Sequence, residues 1–271
     1  MRSPFIKIVL AAALLASGAA RAEEETDADR AKRWKDLETA MFADRKVADG
    51  GKFISIEAPD RAMDAALVPV AVKIGGKVPV KGLYVVVDDN PSPLAAHFTF
   101  GPAADPREVK IRVRLEQYTF IHAVAEGADG KLYQTAKFVK AAGGCSAPAT
   151  MNDQEALKDL GAMKLQTLAT FVPGKSMEVQ LHIKHPNFNG MQMDPVNRWY
   201  KPARFINEAE VSYAGQQVFH FEGGISMSSD PAITFGFKPK DRGELTVVAQ
   251  DNKETVFEHV FPIPLTEPAG E

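Results

Sequence analysis

Short runs of apolar residues, broken by Gly, Pro and Asp, fill most of the chain from residue 52 onward. Over 110–115 apolar and basic residues alternate strictly, which predicts a strand with Ile111, Val113 and Leu115 facing a core and the basic residues facing water. Turn-forming stretches separate the runs. The pattern predicts seven strands in the first half (53–57, 68–74, 83–88, 97–100, 109–115, 120–125 and 132–139) and seven in the second (165–171, 177–183, 206–213, 218–221, 233–237, 245–249 and 256–261).

Two segments have helical patterns instead. Apolar residues recur at helical spacing over 29–42, which predicts a short amphipathic helix whose Trp34 packs on the following domain. Further on, Asn152 and Glu155 have the spacing of a capping box, and a glycine stop follows. We therefore predict a second short helix over 153–160.

These elements predict an all-β protein of two immunoglobulin-like β-sandwich domains. The first sandwich spans 51–140 and the second spans 163–265. A cysteine-bearing Gly-Gly-Cys linker with the short helix joins them over 141–162. A helical segment over 23–50 precedes the first sandwich.

The N-terminus has the layout of an export signal over residues 1–22. Basic Arg2 and Lys7 precede an apolar run over 8–15. The segment ends in the motif ARA, a small-residue cleavage pattern. Nothing later in the chain approaches the apolar length that a transmembrane helix needs. We expect cleavage after Ala22 and a soluble protein in the periplasm or outside the cell.

The charge of the chain limits the classes of partner that we expect. The net charge is −3, and removal of the signal takes away basic residues but no acidic ones. An acidic balance argues against nucleic acid and against an anionic membrane surface as partners.

The only cysteine, Cys145, lies in the stretch KAAGGCSAPAT. It can form no intramolecular disulfide, and in an exported protein such a thiol indicates a reactive group or pairing between molecules. Its neighbours Gly143, Gly144 and Ser146 are small, so we predict an exposed, mobile thiol on a flexible arm. The alternative is a chance surface cysteine in a linker.

No set of residues predicts an active site or a metal centre. The sequence holds no Ser-His-Asp order, phosphate-binding glycine loop or C-x-x-C motif. His182 and His185 lie three apart near a strand, where they point to opposite faces, and zinc needs three or four converging ligands. We predict no catalytic residue, no metal and no cofactor, in a protein that is not an enzyme.

An excursion over 186–204, rich in Met, Asn, Pro and aromatic residues, interrupts the second series of strands. Its residues Met191, Met193, Trp199 and Tyr200 are candidates for a partner-binding loop. The alternatives are a soft-metal contact and a cover over the joint between the two sandwiches.

The chain resembles the sulfur-oxidation carrier pair SoxY and SoxZ joined into one polypeptide. The sequence VKAAGGC at 139–145 is similar to the end of SoxY, whose arm reads Gly-Gly-Cys-Gly-Gly. The second half resembles SoxZ in IKHP at 183–186, in YAGQQVF at 213–219, and in IS at 225–226 followed by DPAITF at 230–235.

This resemblance covers roughly residues 53–264 and implies a carrier without turnover of its own. It implies that Cys145 is the covalent attachment point for a small, sulfur-containing substrate on which separate enzymes act. Fused chains of this kind resemble the quinoprotein dehydrogenase-associated SoxYZ-like carriers, which implies a setting near periplasmic alcohol oxidation. The implied partners are periplasmic oxidoreductases, either of sulfur oxidation or a quinoprotein dehydrogenase and its cytochrome.

One feature departs from the family pattern. Cys145 is followed by Ser146, Ala147 and Pro148 instead of Gly-Gly and a chain end, so the arm becomes a loop held at both ends. A loop held at both ends requires a shallower partner site or a larger cargo than a free arm does. A second function also stays open, an adaptor or docking protein for a pyrroloquinoline-quinone-dependent dehydrogenase system with no covalent cargo.

Overall fold

The structure is a computed structural model that describes residues 25–76, 79–147, 156–194 and 197–264. The export signal predicted over 1–22 lies outside these residues. No helix within the described ranges is both long and apolar enough to cross a membrane. The described chain up to residue 147 is called the first half, and the described chain after it is called the second half.

The described chain folds into helix α1 (Asp27–Phe42) and fifteen strands. The strands are β1 (Val47–Asp49), β2 (Ile54–Glu57), β3 (Val68–Ile74), β4 (Val80–Val87), β5 (Leu94–Phe100), β6 (Ala104–Val113), β7 (Thr119–Gly127), β8 (Leu132–Val139), β9 (Met163–Thr167), β10 (Met177–Ile183), β11 (Ile206–Tyr213), β12 (Gln216–Gly223), β13 (Ala232–Phe237), β14 (Gly243–Asp251) and β15 (Val256–Ile263).

The strands form two sheets, and each sheet runs through both halves of the chain. One has the order β1-β8-β7-β4-β5-β12-β11-β14-β15, and the other has the order β2-β3-β6-β13-β10-β9. The halves meet at two antiparallel pairs: β5 with β12, where Phe98 pairs with Phe221, and β6 with β13, where Lys110 pairs with Thr234. Backbone hydrogen bonds therefore join the halves in both layers.

The core between the sheets is likewise shared. Phe98 of the first half has its ring centroid 5.4 Å from that of Phe219 and 5.2 Å from that of Phe221, and Phe219 contacts Phe235 at 4.9 Å. All four rings are buried in one apolar cluster. Burial of such a side chain contributes roughly 1.5–3 kcal/mol, so this cluster holds the halves together independently of the linker.

The predicted all-β architecture with two immunoglobulin-like parts is confirmed, and each of the predicted runs overlaps a strand. Strand β1, inside the segment predicted as helical over 23–50, is missed because it is only three residues long and pairs in parallel with β8. The continuity of both sheets between the halves has no local signal, since the pairing residues are distant in sequence.

Helix α1 begins two residues before the predicted start and packs on the outer face of the larger sheet. Thr26 and Asp29 form a capping box, in which the Thr26 hydroxyl accepts from the Asp29 N–H and the Asp29 carboxylate accepts from the Thr26 N–H. The ring of Trp34 stacks on that of His122, with centroids 3.6 Å apart. The predicted packing of Trp34 on the first half is confirmed.

The linker is described only in part. Most of the helix predicted over 153–160 lies outside the described residues. Its end is seen as one helical residue, Ala156, followed by a turn to Gly161, which has φ +80°. A glycine in this left-handed conformation is the stop that the sequence predicts.

Candidate functional site

Residues 140–147, hereafter the arm, follow β8 and lie against two segments of the first half. At the start of the arm, the Lys140 N–H donates to the carbonyl oxygen of Asp60 at 2.9 Å. Further along, the Gly143 N–H donates to the carbonyl oxygen of Glu116 at 2.7 Å. The arm is therefore docked through its backbone.

This docked path depends on both glycines of the arm. Gly143 has φ +79°, a conformation that residues with a Cβ rarely adopt. Gly144 lies directly against other backbone, because its N–H donates to the carbonyl oxygen of Leu115 at 2.8 Å. A Cβ at residue 144 would lie 2.7 Å from that oxygen and closer still to the carbonyl oxygen of Ala65, so a side chain there excludes the path.

The carboxylate of Glu116 holds the end of the arm. Its Oε2 accepts hydrogen bonds from the N–H of Cys145 at 2.9 Å and from the N–H of Ser146 at 3.1 Å. Its Oε1 accepts from the Ser146 hydroxyl at 2.9 Å. Hydrogen bonds to an ionised acceptor are stronger than those between neutral groups, so Glu116 is the principal clamp on the arm.

The second half of the chain also contacts the arm. The side-chain amide of Asn189 donates to the carbonyl oxygen of Cys145 at 2.7 Å, and its Oδ1 accepts from the Met191 N–H at 2.9 Å. Asn189 is buried. The arm therefore lies at the joint between the two halves.

Cys145 is buried, with 1% of its surface exposed. The prediction of an exposed thiol is wrong for this docked arrangement, in which Gly143, Gly144 and Ser146 are all hydrogen-bonded to other segments of the first half. The predicted flexibility of the arm stays a prediction. Burial, with the nearby negative charge of Glu116, raises the pKa of Cys145 to about 12. At neutral pH the docked thiol is protonated and is a poor nucleophile.

Arg114, which the alternation over 110–115 predicts to face water, is also buried, with 2% of its surface exposed. Its Nε donates to the carbonyl oxygen of Met227 at 3.3 Å, and its Nη2 donates to that of Asn187 at 3.4 Å. Burial lowers the pKa of Arg114, and its electrostatic interaction with Cys145 opposes that effect. The alternation over 110–115 therefore gave the wrong prediction for Arg114, whose guanidinium is buried in the site.

Asn90 positions the segment that carries the clamp. Its side-chain amide donates to the carbonyl oxygen of Arg114 at 2.7 Å and to the hydroxyl of Ser226 at 2.8 Å, and its Oδ1 accepts from the Glu116 N–H at 3.0 Å. Asn90 is buried. The turn that contains it therefore connects the Glu116 segment with the second half.

The loop over 186–204, which contacts the arm through Asn189, also presents large side chains at the surface. Trp199 is 76% exposed, Tyr200 is 63% exposed and Met193 is 38% exposed, while Met191 is half-buried. An isolated backbone bridge pairs Met193 with Tyr200. Three of the four candidate side chains are therefore exposed to solvent.

No group of three or more His, Cys, Asp or Glu side chains among the described residues is arranged to hold a metal ion. The two histidines singled out by spacing have other contacts. His185 is buried, and its Nδ1 accepts from the Asn187 N–H at 3.0 Å, while the Nε2 of His182 lies 2.8 Å from Oε1 of Gln180. Burial lowers the pKa of both imidazoles.

The fold and the site define a class of protein: an all-β, two-part chain that seats a single thiol at the joint between its parts, on an arm docked by hydrogen bonds. Two family models match these parts. The model of the sulfur oxidation protein SoxY matches residues 38–145, and that of the sulphur oxidation protein SoxZ matches residues 168–262. The chain belongs to the SoxY and SoxZ families, as a fusion of a SoxY region and a SoxZ region.

Solved structures give weaker likenesses. The sulfur carrier protein SoxY from Chlorobium limicola f thiosulfatophilum is 29% identical, over 42% of this chain and 96% of that one, with a TM-score of 0.37. A superoxide reductase (neelaredoxin) from Ignicoccus hospitalis is 20% identical, over 32% and 78%, with a TM-score of 0.28. A putative superoxide reductase from Thermotoga maritima is 18% identical, over 35% and 92%, with a TM-score of 0.30. The comparison with curated proteins gives no match.

The two family matches support a carrier role in sulfur oxidation. They also support enzymes of sulfur oxidation as the general kind of partner. A carrier of this kind is consistent with a protein that has no turnover of its own.

Proposed function

We propose that the protein is a periplasmic, non-catalytic carrier that binds a small, sulfur-containing substrate covalently through Cys145 and presents it to partner enzymes. The observation that carries the proposal is the end of the SoxY match at Cys145, the only cysteine of the chain, directly after the two glycines of the arm. Export to the periplasm rests on the signal predicted over 1–22.

The burial of Cys145 sets a condition on this function, since the arm must leave its docked position before the thiol reacts. The contacts that hold it are hydrogen bonds, each worth on the order of 1 kcal/mol net. A released arm from Lys140 to Cys145 spans at most about 20 Å at roughly 3.3 Å per residue. The thiol of a released arm can therefore extend beyond the surface of the protein, but it stays near the joint between the halves.

The chemistry of loading is that of a solvated thiol. Once released, Cys145 regains a pKa near 8.5, so a few per cent is thiolate at neutral pH. The simplest reaction is attack of that thiolate on one sulfur of a donor that contains an S–S bond. The donor's S–S bond breaks, a new one forms to Cys145, and the other sulfur leaves as a thiolate with the bonding electron pair. The proton of Cys145 goes to solvent, and no external oxidant is needed.

The proposed partner-binding surface consists of Met193, Trp199 and Tyr200. Aromatic and Met side chains are enriched at protein interfaces, and such anchors supply much of the binding energy. The same loop supplies the Asn189 hydrogen bond to Cys145. A periplasmic oxidoreductase bound on these side chains would therefore engage the same loop that contacts the arm.

An adaptor for a quinoprotein dehydrogenase system, with no covalent cargo, is the alternative function. The burial of Cys145 is the observation in its favour, because an adaptor needs no accessible thiol. Its docking surface would consist of the same exposed side chains.

Complementation of a null strain separates the two functions. The carrier requires that Cys145→Ser abolish function, although the backbone contacts of the arm are kept. The adaptor requires that Cys145→Ser complement fully while the double variant Trp199→Ala with Tyr200→Ala fails. Full complementation by Cys145→Ser contradicts the carrier.

A further inference from the structure

The docked arm places the sulfur of Cys145 where a negative charge is unfavourable. The residue is buried, and Oε2 of the Glu116 carboxylate, which accepts its N–H, lies 2.9 Å from that nitrogen. Burial removes the water that would solvate an anion. A second negative charge beside the clamp is therefore opposed by both desolvation and repulsion.

Arg114, the positive charge that acts on the thiol among the described residues, does not cancel this opposition. Nε and Nη2 of Arg114 donate to the carbonyl oxygens of Met227 and Asn187. The effect of Arg114 on Cys145 is weaker than that of Glu116, and both are weaker than burial. Asp64 in turn acts on Arg114. The net preference of the docked site is for an uncharged sulfur.

We propose that burial of the sulfur, together with the charge of Glu116, makes docking selective for an uncharged sulfur, so that the arm is released when Cys145 carries a negative charge, either as a thiolate or as an anionic adduct. This inference rests on the proposed function and adds its regulation. A neutral, empty thiol keeps the arm stowed at the joint. An anionic cargo drives the arm into solvent, where a partner receives it.

The difference in the pKa of Cys145 between the docked and the released arm gives the direction and the size of the effect of ionisation on release. The pKa of Cys145 is about 12 in the docked arm, against about 8.5 for a solvated thiol. The docked state therefore binds the proton more tightly, and ionisation of the sulfur favours release by on the order of a thousandfold. Glu116 is a positioning residue in this scheme, because it acts on the cargo through the arm.

The test compares Cys145→Asp with Cys145→Asn, two side chains of nearly the same shape that differ in charge. The amides of Gly143, Gly144, Cys145 and Ser146 are all hydrogen-bonded in the docked arm, so their hydrogen exchange at pH 7 reports release. We expect exchange of the arm to be at least tenfold faster in Cys145→Asp than in Cys145→Asn. Equal exchange in the two, or slower exchange in Cys145→Asp, would overturn the proposal.

A second substitution separates charge from structure. Adding Glu116→Gln to each variant removes the repelling charge but keeps a carbonyl acceptor for the arm. We expect the difference between Asp and Asn at residue 145 to shrink at least threefold and to persist in part, because burial still opposes a charge there. A merely structural role of Glu116 predicts that both double variants accelerate alike and that the difference persists undiminished.

The unmodified thiol provides a measurement that needs no substitution at residue 145. Titration of Cys145 by the ultraviolet absorbance of the thiolate should give a lower apparent pKa in Glu116→Gln than in the wild type, and an unchanged value contradicts the proposal. Neither experiment uses a native cargo. Failure of the charge selection therefore leaves the carrier function standing, and failure of the carrier function leaves the charge selection measurable.

Discussion

The side-chain amide of Asn189, in the second half of the chain, lies 2.7 Å from the carbonyl oxygen of Cys145, in the first half. The SoxY region supplies the arm and its Glu116 clamp, and the SoxZ region supplies this further contact. Both regions of the fusion therefore hold the thiol in place.

The first prediction concerns this contact. Asn189→Ala removes one hydrogen bond to the arm, worth about 1 kcal/mol, so alkylation of Cys145 by iodoacetamide should become roughly fivefold faster. Intact-mass measurement over time gives the rate. Asn197→Ala, a change of the same kind in the same loop but away from the arm, is the control and should leave the rate unchanged. Equal rates in wild type and Asn189→Ala would show that the contact does not restrain the arm.

Gly144→Ala should release the arm. A Cβ at residue 144 meets backbone carbonyl oxygens of Leu115 and Ala65, which cannot rotate away as a side chain could. We expect alkylation of Cys145 at least tenfold faster than in the wild type. Gly143→Asn is the matched comparison: that site has open space and Asn tolerates positive φ better than other residues, so alkylation should accelerate less than in Gly144→Ala. Alkylation that stays at the wild-type rate in Gly144→Ala argues against the docked path.

The two tryptophans should differ sharply in their effect on stability. Trp34→Ala removes a buried ring stacked on His122 and should lower the free energy of unfolding by about 3–5 kcal/mol. Trp199→Ala, at an exposed position, should change it by less than about 0.5 kcal/mol. Urea denaturation measures both. A large loss in Trp199→Ala would mean that its loop is structural and would weaken its assignment to partner binding.

Strand positions were predictable from sequence because they depend on local alternation and on turn chemistry. β3, β8, β10 and β11 have the bounds that the pattern predicts. The pairing of Phe98 with Phe221 was not predictable, since it depends on contacts between residues far apart in sequence. The short β1 gave no periodic signal at all.

The candidate site was predictable only at its chemical centre. The composition around Cys145 identified the arm, but small neighbours indicate freedom of the backbone without indicating what it contacts. Glu116 and Asn189 looked like ordinary loop residues, and Arg114 looked like a solvent-facing strand residue. Their roles arise because the two halves meet at the arm, which is a tertiary arrangement.

Stability should depend on the charge of Cys145 above neutral pH. The raised pKa of the docked thiol means that its contribution is fully present below about pH 8.5 and is lost as pH rises toward about 12. Between pH 7 and pH 10 the wild type should lose up to about 1–2 kcal/mol more than Cys145→Ala, which has no titrating group at this position. Chemical denaturation of both proteins across this range measures the difference, and parallel curves would contradict it.

The central claim, that Cys145 carries a covalent cargo, is tested most directly by the intact mass of the protein isolated from its native cells without reductant. The carrier function predicts an added mass that maps to the peptide containing Cys145, disappears on treatment with reductant and is missing from Cys145→Ser. Only unmodified thiol at Cys145, under every growth condition in which the protein is made, would contradict it.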